Sequence, residues 1–217
     1  MWLLLSPAFA QPLTDGERLE WAVSWMGIEA GRTWATLRET TGGWAIEAGC
    51  RSHDWLAALY PIDDWLLSEP GRYRTRFREG RFHQDQDMSL GDPFVVARSQ
   101  LVDGAWKSGE NRYDAVPDAE DPVSAFYRVS ETAAEPGGEA RFPVWTGRRG
   151  ATVVAHTSAR EEGRLRVDVH SGEDGEDVRD AMTVWLSDDA DRVPVEVRIQ
   201  TRAGPVYARL VERTVTP

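Results

Sequence analysis

The chain has 217 residues, of which 41% are hydrophobic and 28% charged, a composition that suits one medium-sized globular domain. The formal net charge is −11, and acidic residues and arginines are interspersed along the chain without a basic stripe. This pattern excludes a phosphate-neutralising surface, so neither nucleic acid nor an anionic membrane surface is an expected partner.

The N-terminal residues resemble the end of a secretory signal peptide. An apolar run at residues 2–5 leads to Ala8-Phe9-Ala10, a pattern typical of a cleavage site, and a polar stretch follows. The run is shorter than the usual ~7 to 15 residues and no positive charge precedes it, which indicates a start placed too late. The alternative is a first apolar strand of a cytoplasmic protein. We expect residues 1–10 to be a signal peptide remnant, residues 11–217 to form one β-rich domain, and the mature protein to be periplasmic.

Alternation of apolar and polar residues predicts strands through most of the chain. Leu19, Trp21, Val23 and Trp25 fall on one face of the first run, as a half-buried strand requires. Turn signals separate the following runs, and the count reaches roughly 11 to 13 strands. The fold class predicted is mainly all-β: an antiparallel curled sheet, as a half-open barrel or a sandwich, with one or two short helices.

The clearer of two interruptions in the strand pattern starts at Asp121. Asp121 can cap a helix, Pro122 can occupy its first position, and the apolar residues that follow share one face. Those residues are Val123, Phe126 and Tyr127. We predict a short helix docked on the sheet.

The second interruption covers residues 52–70 and is rich in large apolar residues. Several of them suit one or two helical turns, which Pro61 would end before another strand begins.

No later segment approaches the ~18 apolar residues of a membrane span, so no span is expected.

Cys50, Ser52, His53 and Asp54 supply the residue types of nucleophilic catalysis. Neighbours on an extended chain point to opposite faces, so these side chains are not expected to converge. Cys50, the only cysteine, is interpreted as a small buried hydrophobic residue.

His83, Asp85 and Asp87 would share one face of a strand and could form a weak divalent-metal or hydrolase site. No second ligand cluster supports that interpretation, and an exposed strand is favoured. His156 and His170 each stand alone on a strand and are interpreted as single surface or edge residues. Because phosphate-loop, zinc and calcium motifs are missing from the sequence, no cofactor and no metal are expected.

Three acids, Asp188, Asp189 and Asp191, follow the segment Thr183 to Leu186. That segment is predicted to be a strand carrying Trp185 inward, and alternation resumes at Val193. The acids are therefore predicted to form a hairpin turn, because Ser and Asp side chains accept bonds from nearby backbone amides.

Four stretches together are similar to one known family. They are GERLEWAVSWMGIEAGRTWATLRE, LYPIDDWLLS, DPVSAFYRV and VWLSDDADRVPVEVRIQTRAGPVYARLV. In order and spacing they resemble the exported bacterial proteins called the domain of unknown function 3108 family, from Gly16 to Val211. The resemblance implies a Gram-negative envelope protein whose curled sheet is similar to the periplasmic lipoprotein carriers, which hold acyl chains on a concave apolar face. It supplies no catalytic residue.

The leading hypothesis is a non-enzymatic protein that binds an apolar ligand, a lipid or a lipidated partner, on the concave face of its sheet. Ordinary core packing is the competing interpretation of each candidate residue. The candidates are Trp21, Trp25, Trp34, Trp44, Trp55, Leu56, Leu59, Tyr60, Trp65 and Leu66. The alternatives are an assembly factor that binds another envelope protein through a sheet edge or through residues 52–70 and, less favoured, a hydrolase.

Overall fold

In the computed structural model, the described residues are 13–90, 94–102, 106–132, 135–145, 150–172, 179–201 and 203–216. They form fourteen strands in one antiparallel sheet and two helices. The mainly all-β prediction is confirmed, and the described strands exceed the predicted count by at least one. The signal-peptide prediction falls on residues 1–10, which lie outside the described part.

The element bounds follow the chain. The first eight strands are β1 Glu17–Trp25, β2 Ile28–Thr40, β3 Gly43–Ser52, β4 Asp63–Glu69, β5 Arg72–Glu79, β6 Phe82–Leu90, β7 Phe94–Val102 and β8 Trp106–Asp114. The last six are β9 Glu139–Trp145, β10 Gly150–Glu161, β11 Arg164–Gly172, β12 Arg179–Ser187, β13 Pro194–Thr201 and β14 Gly204–Val215. Helix α1, Asp54–Ala57, lies between β3 and β4, and helix α2, Pro122–Thr132, lies between β8 and β9.

The sheet is a meander whose first and last strands meet in its middle. Its order runs from β8 through β1, then from β14 down to β9, so β8 and β9 are the two edges. The pairing of β1 with β14 is reinforced where Arg213 Nε donates to Glu17 Oε1 at 2.6 Å. The two edge strands, β8 and β9, are therefore consecutive in the chain, and the connection between them contains α2.

Helix α2 lies inside the curl of the sheet. It contacts the neighbouring strands β3 and β4 and also β9, which is far from both in the sheet order, and only a curled sheet can bring them to one helix. The segment before α2 runs along the free edge of β9, where Trp145 N donates to Glu120 O at 2.7 Å. The sheet is thus a half-open barrel whose β9 edge is partly covered.

The predicted helix at Asp121 is confirmed. Asp121 Oδ1 accepts hydrogen bonds from Val123 N at 2.8 Å and Ser124 N at 3.1 Å, the arrangement of an N-cap. The apolar face predicted for this helix meets two core clusters, with Val123 and Phe126 packed against buried residues and Tyr127 itself buried.

One prediction of local structure is wrong. Trp185 does not point inward: Val184 and Leu186 are the buried residues of β12, and Trp185 lies on the outer face with its indole directed to Glu161 at 3.4 Å. Alternation shows only that neighbouring residues of a strand lie on opposite faces of the sheet. In β12 the aliphatic side chains of Val184 and Leu186 occupy the inner face, so Trp185 lies on the outer face. The predicted one or two helical turns before Pro61 are present as α1, and the predicted strand follows as β4.

Candidate functional site

A cavity of about 590 Å³ opens between α2 and the inner face of the sheet. Its volume lies within the range of about 300 to 1,000 Å³ that small-molecule sites occupy. The walls come from the β2–β3, β4–β5 and pre-α2 segments together with the end of β9. The apolar lining residues are Leu13, Trp44, Ile46, Pro70, Leu90, Ala115, Val116, Pro117, Ala119 and Trp145.

A hydrogen-bonded group at the start of α2 fixes one wall of the cavity. Ser68 Oγ donates to Asp121 Oδ2 at 2.6 Å, and Ser124 Oγ donates to the same oxygen at 2.9 Å. Both Asp121 oxygens are therefore occupied, one by the backbone cap and one by the two hydroxyls. This group ties α2 to β4 and is structural, because its polar atoms satisfy one another.

Two polar side chains that line the cavity have no hydrogen-bond partner among the described residues. Trp145 is 2% exposed and its indole N–H is unpaired, and Tyr127 is 4% exposed with an unpaired hydroxyl. Burial, followed by the charge of Glu17, raises the pKa of Tyr127 well above its ordinary value, so the hydroxyl keeps its proton. Both polar atoms are themselves buried, so Trp145 and Tyr127 border the cavity with other atoms of their side chains.

The remaining polar residues of the cavity are mostly acidic and already paired. Glu69 accepts a bond from Arg74 at 3.0 Å, and Glu120 is bonded to Arg128. Asp118 is exposed at the margin. The cavity therefore combines an apolar wall with an acidic margin.

The ten candidate residues do not converge on one site. Trp44 lines the cavity, while Trp21 is buried in the core and donates its indole N–H to Pro194 O at 2.7 Å. Leu66 packs against the cluster of Tyr73, Met88 and Trp145. These three candidates face the interior.

Trp34 and Trp65 lie on the outer face of the sheet. Both are register neighbours of Gly49, and Trp34 sits so close that a Cβ at position 49 would lie 2.8 Å from its ring. Arg18 lies over Trp34, and Trp65 donates to Glu47 at 2.8 Å. Trp25, also a candidate, donates to Ala203 O at 3.0 Å.

The remaining candidates belong to the segment between β3 and β4, where Leu56 is half-buried. Trp55, Leu59 and Tyr60 are exposed, with 81% of Leu59 accessible. Trp55 donates to Glu29 O at 3.0 Å, and Tyr60 lies against Gly80, so this segment adjoins the β1–β2 and β5–β6 turns. Together these turns present an exposed group that we call the apolar rim: Met26, Ile28, Trp55, Leu59, Tyr60 and Phe82. The rim lies at the end of β2 opposite the cavity.

The Cys50 segment carries no assembled nucleophile. His53 Nε2 bonds to Glu29 Oε1 at 2.9 Å, and Ser52 Oγ bonds to Ile62. Burial, with smaller contributions from Asp64 and Glu79, raises the pKa of the Cys50 thiol to about 11. The thiol is half-buried and protonated at neutral pH, which agrees with its interpretation as a small hydrophobic residue.

The strand that holds His83 pairs its carboxylates with arginines of β5. Asp85 meets Arg78 at 2.6 Å, and Asp87 makes a two-point contact with Arg72 at 2.9 and 2.6 Å. Within the described part of the chain, no group of three or more His, Cys, Asp or Glu side chains could hold a metal. The interpretation of residues 83–87 as part of a strand therefore accounts for the two carboxylates, because each is paired with an arginine of the neighbouring strand.

His156 and His170 are brought together, contrary to the expectation of two isolated residues. Both line an outer groove of about 270 Å³ with Arg166, Asp168 and Arg198. Hydrogen bonds from Arg166, Ser158 and Thr183 outweigh the effect of burial and lower the pKa of Asp168. Sequence reasoning missed this juxtaposition because it depends on the register of three strands.

The acids after β12 form the predicted turn. Asp189 Oδ1 accepts bonds from Ser187 Oγ at 2.7 Å, Asp191 N at 2.9 Å and Arg192 N at 3.2 Å. Val193 N closes the turn by donating to Ser187 Oγ at 2.8 Å. These local bonds explain the cluster of acids without a ligand.

The residues that sequence reasoning missed at the cavity are Trp145 and Tyr127. Trp145 is the last residue of a short strand, and the sequence of that strand has no feature that distinguishes it from the other strands. Tyr127 was identified only as one of the apolar residues on one face of α2. One chemical property of these residue types could have identified both: a tryptophan or tyrosine on a buried face needs a hydrogen-bond partner for its N–H or O–H.

Among the residues described, no helix combines the length and apolarity required to cross a bilayer. The fold is similar to the crystal structure of a β-barrel-like protein of domain of unknown function DUF1849 from Brucella abortus. The TM-score is 0.60 at 10% sequence identity, over 94% of this chain and 99% of that one. No curated protein matches. The family described as protein of unknown function DUF3108 matches residues 20–211, and the chain belongs to that family.

Proposed function

We propose that this protein binds an apolar ligand, a lipid or the acyl group of a lipidated partner, in the cavity beside α2. The observation that carries the proposal is a volume of about 590 Å³ beside α2 with a largely apolar wall. The described side chains supply no assembled nucleophile, so the proposed activity is binding without catalysis.

Filling the cavity tests this proposal. Ala119 lines the cavity, and Ala119→Trp would place an indole in the space that the ligand needs. Ala190→Trp is the matched control, because Ala190 lies in the exposed turn after β12. Delipidated wild-type protein and the control should take up a fluorescent fatty-acyl probe, and Ala119→Trp should lose that uptake. Absence of uptake by wild type, together with absence of lipid after native purification, would refute the proposal.

Export to the periplasm is part of the proposal. It is supported by the Ala8-Phe9-Ala10 pattern after an apolar run and by the family resemblance. Fractionation of cells expressing the gene with its upstream region should place the protein in the periplasmic fraction, without residues 1–10. Recovery in the cytoplasm with those residues retained would contradict it.

The apolar rim supports a second candidate function, binding of another envelope protein. Six large apolar side chains are exposed on three neighbouring turns, whereas a monomer usually buries or scatters such residues. A photoreactive amino acid at Leu59 should give one specific protein adduct in cells, and the same group at Ala190 should give none. If Leu59 yields no adduct, the rim is not a binding surface for a protein partner.

A further inference from the structure

We infer that the cavity selects its ligand by the charge of the head group, favouring an alkyl chain with a primary ammonium head and disfavouring a carboxylate or phosphate head. This inference rests on the proposed function and specifies its ligand class. Three observations support it: charged residues lie at the accessible margin of an apolar cavity, acids outnumber bases there, and the basic residue is already paired.

The apolar and charged residues of the cavity differ in their exposure. Ile46, on the apolar wall, is 2% exposed. Among the charged lining residues, Asp118 and Arg128 are exposed, and Glu69 and Glu120 are partly exposed. An amphiphile would therefore place its alkyl chain against the buried apolar wall and its head group beside these charges.

Acidic residues outnumber basic residues in the lining by four to one. Even when Arg74, which is bonded to Glu69 from outside the cavity, is counted as a second base, two net negative charges remain. Charges act on one another within a Debye length of about 8 Å at physiological ionic strength, so this balance affects a head group without direct contact. The acids are Glu69, Asp118, Glu120 and Asp121, and the lining base is Arg128.

Asp118 differs from the other three acids because its charge is not paired. Those three are each bonded, two to arginines and one to the start of α2. The side chain of Asp118 makes no hydrogen bond or ion pair with any residue that the structure describes. It lies in a turn that Ala119 N closes by donating to Val116 O at 3.1 Å. An ammonium group at the margin could therefore pair with Asp118 without displacing another partner.

The basic lining residue is already engaged. Arg128 is bonded to Glu120, and its guanidinium lies over the ring of Phe142, 5.5 Å from the centroid. An anionic head group would have to compete with Glu120 for this arginine while it met the like charge of Asp118. A cationic head group is therefore the one that fits these charges.

Three amphiphiles with chains of the same carbon number test the inference. Dodecylamine carries an ammonium group at neutral pH, monolauroylglycerol is neutral, and laurate carries a carboxylate. Calorimetric titration of the intact, delipidated protein at low salt should rank the affinities in that order, with each step about two- to fivefold, as partly exposed charge pairs produce. At about 1 M NaCl, where the Debye length falls to about 3 Å, the three affinities should converge to within about twofold.

Removal of the charge of Asp118 should remove much of the preference. Asp118→Asn keeps the size of the side chain, and asparagine tolerates the φ of 57° at this position, so the turn is retained. The ratio of dodecylamine to laurate affinity should fall by about threefold or more, and the affinity for monolauroylglycerol should stay unchanged. Asp188→Asn is the matched control, because Asp188 lies outside the cavity, and it should keep the wild-type ratio.

The net charge of −11 would attract a cationic amphiphile to any part of the surface, so Ala119→Trp separates binding in the cavity from binding elsewhere. Dodecylamine binding that persists in Ala119→Trp would overturn the inference. A laurate affinity equal to that of dodecylamine, or a ratio that Asp118→Asn leaves unchanged, would also overturn it. If wild type binds all three probes equally and Ala119→Trp binds none, the inference fails and the proposed function stands. If wild type binds none of them, the proposed function itself fails.

Discussion

The two halves of the sheet enclose different interiors. Strands β10 to β13 pack valines and leucines against α2, and Leu165, Val167 and Leu186 are 0% exposed. Strands β3 to β6 face the cavity and carry polar inner residues such as Ser68 and Thr75. We call these the packed half and the cavity half. Helix α2 contacts both halves. Its Ala125 and Val129 belong to the core of the packed half, while Ser124 and Tyr127 line the cavity.

This difference indicates a division between stability and ligand binding. The packed half buries apolar surface and leaves little room for a ligand, so truncation there removes stabilising contacts. The cavity half holds unpaired polar atoms that lower the stability of the free protein. Substitutions in the two halves should therefore differ in size and, at Tyr127, in sign.

The largest effect is expected from leucine truncation in the packed half. Leu186→Ala should lower the free energy of unfolding by about 2 to 5 kcal/mol, because rigid neighbours leave a cavity behind. Leu90→Ala, on the cavity wall, should cost only about 1 kcal/mol, since its side chain already borders open space. Urea unfolding measures both. Equal losses would show that the halves are packed alike.

Loss of the helix cap should have the next largest effect. Asp121→Ala removes the cap of α2 and leaves Ser68 and Ser124 without their shared acceptor, at a cost of about 2 kcal/mol. Asp121→Asn keeps an oxygen for the cap and should retain most of the stability. If alanine and asparagine behave alike in urea unfolding, the cap is not what holds α2 against β4.

Removal of the Tyr127 hydroxyl should stabilise the free protein. Tyr127→Phe deletes an unpaired buried O–H and should raise the unfolding free energy of delipidated protein by about 1 kcal/mol. Ser130→Ala is the matched control on the same helix, because Ser130 is also buried and unpaired but does not line the cavity. Both substitutions should stabilise the free protein by a similar amount. A destabilised Tyr127→Phe protein would mean that the hydroxyl has a partner.

A pH dependence should arise from Glu79, on β5 in the cavity half. Burial, then the charge of Asp64 and a hydrogen bond with it, raises the pKa of Glu79 above its ordinary value of 4.5. The folded state therefore holds this proton more tightly than the unfolded state does, so its contribution to stability is lost as pH rises from 4.5 through the raised pKa. Glu79→Gln should flatten that part of the profile of unfolding free energy against pH. An unchanged slope would contradict this assignment.

The smallest effect is expected at the turn after β12. Replacing Asp188 and Asp189 together by asparagine keeps the oxygen that accepts the turn bonds and removes only exposed ion pairs, such as Asp188 with Arg192 at 3.0 Å. The double variant should lose less than about 1 kcal/mol and should bind ligand like wild type. Loss of ligand binding would show that this turn takes part in a binding site.

Local patterns predicted much of this fold. Alternation located most strands, and the sequence from Asp121 to Tyr127 predicted α2 with its cap, because capping and turn bonds act between near neighbours in the chain. Alternation did not identify which face is buried, so Trp185 was assigned to the wrong side. Which face of a strand is buried depends on how the other strands and α2 pack against it, and the sequence of one strand does not contain that information.

The site was harder to predict than the fold. Large apolar residues were reasonable candidates, yet Trp44 lines the cavity while Trp34 and Trp65 flank Gly49 on the outside. Trp145 was overlooked because its distinguishing property is an unpaired N–H. That property exists only once β9 and the segment before α2 are in place.

Photoaffinity labelling tests the central claim most directly, because it reports where the ligand lies. A monoacylglycerol with a diazirine in its acyl chain, bound to intact protein and irradiated, should label peptides that contain Trp44 or residues 115–121, and Ala119→Trp should abolish the label. Labelling confined to peptides of the apolar rim, or unchanged by Ala119→Trp, would contradict a ligand site in the cavity half.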